Sequence, residues 1–307
     1  MIPGRPLLAR PTKDDLRATL MKTAFLSAWA FGIITAVGDT RLFWAEGLVS
    51  FDSHAYWLAG RSKHPYGAPP GSKDAFLYSP AFAQLMRPLA LLPWSVFAAL
   101  WMIAVTATFL WLTAPLPWRW RIPVLLACVP EVLLGNVYAF LGLAAVLGMR
   151  RPEFWAFPLL TKISPGLLGL LWFGVRGEWR QVARVMTASL VITGGSYLLD
   201  PTMWHEWFQF LAVSRADDKS FLVARALVAA GAVVIAARWN KAWCLPLAMW
   251  LAAPVFSASS RDLAVLSAAV RLSNLGGMAS AAQQPSTETP QDPGRLGRGA
   301  AAEDRDV

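Results

Sequence analysis

The chain has few charged residues and few cysteines for its length of 307 residues. Only 15% of the residues are charged and 56% are hydrophobic, a balance that is not typical of a soluble globular protein. The two cysteines, Cys128 and Cys244, lie inside apolar runs, without CxxC spacing and without a histidine nearby. This pattern argues against a disulfide framework and a thiolate metal site, and it predicts that both are small core residues.

Motifs for nucleotide binding and hydrolysis are also missing. The sequence holds no GxGxxG, no P-loop and no nucleophile elbow, so chemistry driven by ATP or by a nucleotide sugar has no support. It also lacks the internal repeats on which many transporters are built. Tryptophan is abundant, with 16 residues, and apolar residues come in long runs rather than at an amphipathic spacing. We therefore expect an all-α, polytopic membrane protein.

The net charge of +9 comes largely from short basic groups beside the apolar runs, where signals for membrane orientation are found. We expect residues 1–22 to stay in the cytoplasm and Thr23 to Val37 to cross outward as an uncleaved anchor. A cleaved signal peptide is the alternative, although Ala28-Trp29-Ala30 lies too early in the run for a cleavage site. We assign the charge to orientation and to contact with anionic membrane lipids, and we expect no binding of nucleic acid.

A polar stretch, residues 39–86, follows this anchor and should lie outside the cytoplasm. It is far longer than a connection requires, and it combines a row of aromatic residues with several ionisable ones. The ionisable residues include Asp52, His54, His64 and Asp74. We expect this outer loop to hold the active site.

Two later apolar segments each carry a polar break near the middle. They are Ile122 to Met149, broken at Gly135-Asn136, and Phe154 to Val175, broken at Lys162-Ile163-Ser164-Pro165. As straight spans they would place Arg150 and Arg151 outside, against the positive-inside rule. As hairpins of two short helices they place every basic group inside and bring the two breaks together. We favour hairpins, because irregular backbone within a membrane needs cover from protein or from a wet cavity.

The rest of the chain is predicted to complete one transmembrane domain over residues 23–273. Its other apolar segments are Leu89 to Leu112, Gln181 to Leu199, Phe221 to Ala237, Ala242 to Phe256 and a short last one, Asp262 to Val270. Met203 to Val213 alternates aromatic with polar residues, as an interfacial helix does. Residues 274–307 have almost no apolar content and predict a disordered cytoplasmic tail. The plasma membrane is the expected location.

Several short motifs together resemble one family of membrane enzymes. They are Asp52 with Tyr56, Pro65-Tyr66, Phe76-x-Tyr78-x-Pro80, the segment Pro88 to Trp94, Gly135-Asn136, Lys162 to Gly166, and Arg176 to Arg180. As a set, over about residues 23 to 270, they resemble glycosyltransferase family 87 (DUF2029), the polyprenyl-phosphate-mannose-dependent mannosyltransferases of the GT-C superfamily. The family's Gln after the turn glycine is absent here. Its later Ser-Pro-x-x-Trp-x-His region is represented only by Ala253-Pro254-Val255-Phe256.

The resemblance implies a GT-C fold and transfer of a hexose, mannose in the family, without metal or cofactor. The donor would be a polyprenyl-phosphate sugar and the acceptor a glycan or glycolipid on the outer face. Inverting single displacement needs a base for the acceptor hydroxyl and positive charge for the departing phosphate. The resemblance assigns the base to Asp52, and capping of the helix that follows is the alternative.

Lys162 is the candidate for binding the donor phosphate, because a lysine within an apolar run points to a function or to a partner, here Glu131. Further substrate contacts are expected from Asn136, Tyr56, His54, Tyr78 and Arg61. Asn136 could instead satisfy its own turn, and Arg61 and Lys63 could be solvated. The spacing of the histidines predicts no metal site. A transporter with polar groups between broken helices and a non-catalytic scaffold remain the alternatives to an enzyme.

Overall fold

The computed structural model describes residues 12–213, 219–253 and 264–273, and within them the chain is helical, without a strand. The helices are α1 (Lys13–Ala45), α2 (Phe51–Arg61), α3 (Pro80–Met86), α4 (Trp94–Thr113), α5 (Trp118–Leu134), α6 (Tyr138–Gly148), α7 (Ala156–Thr161), α8 (Ile163–Val175), α9 (Trp179–Leu199), α10 (Pro201–Val213), α11 (Lys219–Arg238), α12 (Cys244–Leu251) and α13 (Ala264–Ser273). Short 3₁₀ turns, Leu89–Leu91 and Pro152–Trp155, precede α4 and α7.

Several of the helices are long enough to span a membrane. In the described part of the chain, α1, α4, α9 and α11 are long and apolar enough to cross a membrane, and α5 with α6 makes a fifth span if the bent pair is counted as one. Large hydrophobic side chains on these helices are exposed, for example Ile34, Leu190 and Leu227. Such surfaces suit lipid rather than water. The chain therefore has the helices of a multi-pass membrane protein, as predicted.

Helix α1 is longer than the first span expected from the sequence. It begins after Thr12, whose side chain accepts from the Asp15 N–H at 3.1 Å while the Asp15 carboxylate accepts from the Thr12 N–H at 3.1 Å, a capping box. It continues through Gly38 to Ala45, because a lone glycine costs a helix only about 1 kcal/mol. The helix stops before Gly47, which has a φ of 66°. The stretch expected to be an outer loop therefore starts inside α1 and contains α2 and α3.

Both predicted hairpins are present, with their breaks at the expected residues. Helices α5 and α6 are bent by 118° where Gly135 adopts a φ of 70°. Helices α7 and α8 fold back on each other at Lys162, since a Cβ on Gly166 would lie 2.5 Å from the backbone nitrogen of Leu159. The second hairpin is unequal, because the six residues of α7 face the thirteen of α8.

Three basic segments, around Arg121, Arg176 and Arg184, lie at helix ends that are distant from the breaks. Arg184 at the start of α9 pairs with Glu153 at 2.6 Å, and Arg176 after α8 donates to Asn240 Oδ1 at 3.0 Å. Arg121 near the start of α5 donates to the Leu110 carbonyl near the end of α4 at 2.7 Å. Helices α6 and α8 separate these contacts from the two breaks by about 16 and 20 Å, at about 1.5 Å per residue. The breaks therefore lie towards the opposite end.

Helix α10 forms where the sequence predicted an amphipathic helix. Asp200 caps it, because its Oδ1 accepts the Met203 N–H at 3.1 Å while its Oδ2 meets Arg87 Nη2 at 3.1 Å. Trp204 is buried and Phe208 is exposed. The bond to Arg87 ties the end of α3 to the corner between α9 and α10.

The last predicted segments are covered only in part. The segment expected from Ala242 to Phe256 contains α12, an eight-residue helix, and its last three residues lie outside the described ones. The segment from Asp262 to Val270 corresponds to α13, which ends later, at Ser273. The region around Pro254 that bears on the family resemblance and the predicted tail, residues 274–307, also lie outside the described residues. Cys128 is buried as predicted, while Cys244 is only half-buried.

Candidate functional site

The first turn of α2 sits on the break between α5 and α6. The Ser50 N–H donates to the Leu133 carbonyl at 2.6 Å, and Trp101 Nε1 donates to the Gly135 carbonyl at 2.7 Å. A Cβ on Gly135 would lie 2.6 Å from Ser53 Oγ, so only glycine allows this approach. The close contact fixes the start of α2 against the break.

Asp52 and Asn136 meet at this contact. Asn136 Nδ2 donates to Asp52 Oδ2 at 2.8 Å, and Asn136 Oδ1 accepts the Val137 N–H at 2.6 Å, so Asn136 both closes its turn and holds the carboxylate. Both side chains are half-buried. Asp52 is the second residue of α2, and the residue that precedes the helix is Ser50, with a φ of 61°. Capping by Asp52 is therefore not what the structure shows.

Lys162 reaches the same break from the second hairpin. Its Nζ lies 3.6 Å from the centre of the Tyr138 ring, which makes a cation–π contact. Tyr138 is two residues after Asn136 in the chain. Glu131, which is fully buried, accepts the Tyr138 N–H through Oε1 at 3.0 Å. Lys162 and Glu131 thus both contact Tyr138, and the expected meeting of the two breaks is confirmed.

Two tyrosines lie behind the carboxylate. Tyr56, one helical turn after Asp52, is buried, and its hydroxyl lies 2.9 Å from that of Tyr78. Burial, together with Tyr78 and the negative charges of Asp52 and Glu131, raises the pKa of Tyr56 well above its usual value. Tyr56 is therefore a neutral hydroxyl close to both acids. Both side chains are buried in the core, and the substrate contacts expected of Tyr56 and Tyr78 stay a prediction.

Three other candidates are not brought to Asp52. His54 points to another side of α2, where its Nδ1 lies 2.5 Å from Asp74 Oδ1 and its ring packs on Trp94. Arg61, about 13 Å further along α2 at about 1.5 Å per residue, donates to the Ala90 carbonyl at 2.9 Å. Lys63 is exposed just beyond α2. The substrate contacts expected of His54 and Arg61 stay a prediction, and they would lie apart from Asp52.

The two outer histidines are separated by their partners. His64 Nδ1 lies 2.5 Å from Glu206 Oε1 on α10, whereas His54 pairs with Asp74. Across the described ranges, no three His, Cys, Asp or Glu side chains are grouped so that they could hold a metal ion. The polar groups shown at the break are the Asp52 carboxylate with the Asn136 amide, and the Lys162 ammonium over the Tyr138 ring.

Comparisons with known proteins find no family model, no curated protein and no solved structure that matches the chain.

The structure contains an apolar groove that the sequence did not predict, and the groove reaches Thr161 at the end of α7. It has a volume of about 520 Å³ and lies between α3, α7 and α9. Its lining includes Phe82, Leu85, Phe157, Thr161, Ile192 and Leu199. Thr161 is the residue before Lys162, and the Phe82 ring packs on Tyr56 at 5.2 Å. The signal for this groove is distributed over three helices that are distant in sequence, so no local motif reveals it.

Proposed function

We propose that the chain is a membrane glycosyltransferase of the GT-C type. It transfers a hexose, mannose by the family resemblance, from a polyprenyl-phosphate donor to a hydroxyl group of a glycan or glycolipid acceptor. Two contacts at the break between α5 and α6 support this most: Asn136 donates to Asp52, and Lys162 lies over the ring of Tyr138, two residues after Asn136. A carboxylate and an ammonium group beside one half-buried surface are the two groups that the displacement requires.

Asp52 acts as the general base. Its carboxylate takes the proton of the acceptor hydroxyl as that oxygen attacks C1 of the sugar, and the bond between C1 and the phosphate oxygen breaks on the opposite side. The configuration at C1 is inverted, and the bonding electron pair leaves with the phosphate. The hydrogen bond from Asn136 to Oδ2 holds the carboxylate in one orientation, as a base must be held.

Lys162 stabilises the departing lipid phosphate. Lys162 lies at the outer end of the α7–α8 hairpin, and its ammonium group lies over the Tyr138 ring. There it adds positive charge to a partly buried surface. Electrostatic stabilisation of a leaving group is strongest where water is partly excluded. The apolar groove that begins beside Lys162 is suited to the lipid chain of the donor.

The active site faces outward in this proposal. The basic groups at the other end of the bundle, around Arg121, Arg150, Arg176 and Arg184, are the residues expected on the cytoplasmic side. Both termini then lie in the cytoplasm, and the membrane that the chain spans is the plasma membrane. This orientation gives Asp52 access to lipid-linked sugars and acceptors and separates it from cytoplasmic nucleotide sugars.

Donor turnover tests the proposal. The full chain in lipid nanodiscs is incubated with polyprenyl-phosphate-mannose and an alkyl mannoside acceptor, and the release of polyprenyl phosphate is measured. We expect release together with an elongated glycoside, and no reaction with GDP-mannose. Absence of turnover with mannose-, glucose- and galactose-linked polyprenyl phosphates, by protein that keeps its thermal unfolding transition, would contradict the proposal.

A further inference from the structure

A second cleft lies between residues 64–70, in the outer segment that joins α2 to α3, and α10. Its volume of about 500 Å³ falls in the range of roughly 300–1,000 Å³ that is usual for small-molecule sites. The residues that matter to its chemistry are His64, Tyr66, Pro69, Glu206, Gln209 and Phe210.

Side-chain contacts hold this cleft in shape. His64 and Glu206 join its two walls through their 2.5 Å contact. Tyr66 donates its hydroxyl to the Tyr78 carbonyl at 2.9 Å, and its ring lies 5.7 Å from that of Phe210. On the same wall as His64 and Tyr66, the Pro69 carbonyl accepts from the Ser72 hydroxyl at 2.7 Å. The cleft is therefore formed before a ligand arrives.

The lining combines flat apolar surfaces with uncharged and negative polar groups. Tyr66, Phe210 and Pro69 present rings, while Glu206 and Gln209 present oxygen and amide groups. A carboxylate can accept about four hydrogen bonds, so the contact with His64 does not use up its capacity. Burial and the Glu206 charge raise the pKa of Tyr66 well above its usual value. An anionic ligand is disfavoured beside Glu206.

We propose that this cleft binds a neutral hexose unit of a glycan. Rings pack against the C–H faces of a sugar, and the carboxylate and the amide bind its hydroxyl groups. The cleft is connected to the base: Tyr66 bonds to Tyr78, Tyr78 to Tyr56, and Tyr56 lies one turn from Asp52. The assignment of this hexose to the acceptor rests on the proposed function, while the binding of the sugar does not.

Binding of a manno-disaccharide glycoside to the full chain in nanodiscs tests the proposal, with saturation-transfer NMR and titration as the readouts. We expect binding to wild type. Glu206→Gln, Gln209→Ala and Phe210→Ala should each weaken it by about tenfold or more, since each removes a polar or ring contact. Phe208→Ala, on the same helix but outside the cleft, should bind as wild type does.

The possible outcomes separate this inference from the proposed function. Saccharide binding that is lost in the three cleft variants, in a protein that turns over no lipid-linked sugar, supports the cleft and contradicts the transferase. Turnover by a wild-type protein that binds no manno-, gluco- or galacto-disaccharide overturns the cleft and leaves the transferase. Binding unchanged in all three variants also overturns it, as would binding of a proline-rich peptide in place of every saccharide.

Discussion

At the scale of single residues, two side chains two positions apart connect both halves of the candidate site. Asn136 donates a hydrogen bond to Asp52, and the Tyr138 ring makes a cation–π contact with Lys162. Since Asn136 lies in the break between α5 and α6 and Tyr138 is the first residue of α6, a shift of that turn moves the carboxylate and the cation together. This coupling suits a reaction in which the base and the leaving-group cation must stay aligned across one substrate.

Lys162→Met tests the role of the cation. Methionine is similar in length and better suited to an apolar surround, so the fold should be kept or slightly stabilised. Donor affinity should fall by about tenfold or more, because the charge that meets the phosphate is lost. Titration with polyprenyl-phosphate-mannose and a thermal unfolding curve of the same sample measure the two effects. Lys73→Met, at an exposed lysine of the outer segment, is the control and should change neither.

A structural lysine would behave differently. If Lys162 served only to balance Glu131, its loss would strand a buried negative charge and would lower the unfolding temperature. Glu131→Gln would then partly restore the stability of Lys162→Met. Unchanged donor affinity in Lys162→Met would remove this residue from the site.

At the scale of helices, the two hairpins were predictable and the packing partner of α2 was not. A glycine followed by asparagine and a lysine before Ser-Pro mark breaks in apolar segments, and the distribution of basic residues favoured a reversal at each. The partner of Asp52 is 84 residues away, and no local pattern identifies it. The direction of His54 depends on where α2 starts, and that start is set by the left-handed φ of Ser50.

Gly135→Ala tests whether the close contact with Gly135 holds the start of α2 in place. A side chain there meets two penalties, a positive φ that costs an L-residue roughly 1–2 kcal/mol and overlap with Ser53 that costs about 1–3 kcal/mol more. Gly177→Ala is the matched control, because Gly177 has a φ of 69° but nothing within 4 Å of its Cβ position. We expect the unfolding temperature to fall clearly further in Gly135→Ala, with loss of transfer. Equal shifts in the two variants would show that α2 does not rest on Gly135.

At the scale of the whole molecule, the chain has a basic end and an end where the breaks meet. The proposed orientation places the basic end in the cytoplasm, together with Glu153, which pairs with Arg184. That pair is at the surface and contributes little stability, so a substitution at 153 should leave the fold intact. The outer segment between α2 and α3 then lies on the other side of the membrane.

Cysteine labelling of intact cells tests this orientation of the chain in the membrane. In a background with Cys128 and Cys244 replaced by alanine, Lys73→Cys should react with an impermeant thiol reagent applied from outside. Glu153→Cys should react only after permeabilisation, which also serves as the control for its accessibility. Labelling of Glu153→Cys from outside in intact cells would exclude the arrangement in which the second hairpin starts from the cytoplasm.

The most direct measurement is the rate of polyprenyl-phosphate release by Asp52→Asn in nanodiscs, at saturating donor. Asparagine keeps the volume of the side chain and a carbonyl oxygen for the hydrogen bond from Asn136, and it removes the negative charge and with it the basicity. Asp74→Asn, an acid of the same outer segment that pairs with His54, is the control and should keep most of the rate. We predict a fall of about 10² or more for Asp52→Asn with an unchanged unfolding temperature. A rate close to that of wild type would contradict the assignment of Asp52 as the base, and with it the mechanism proposed for this protein.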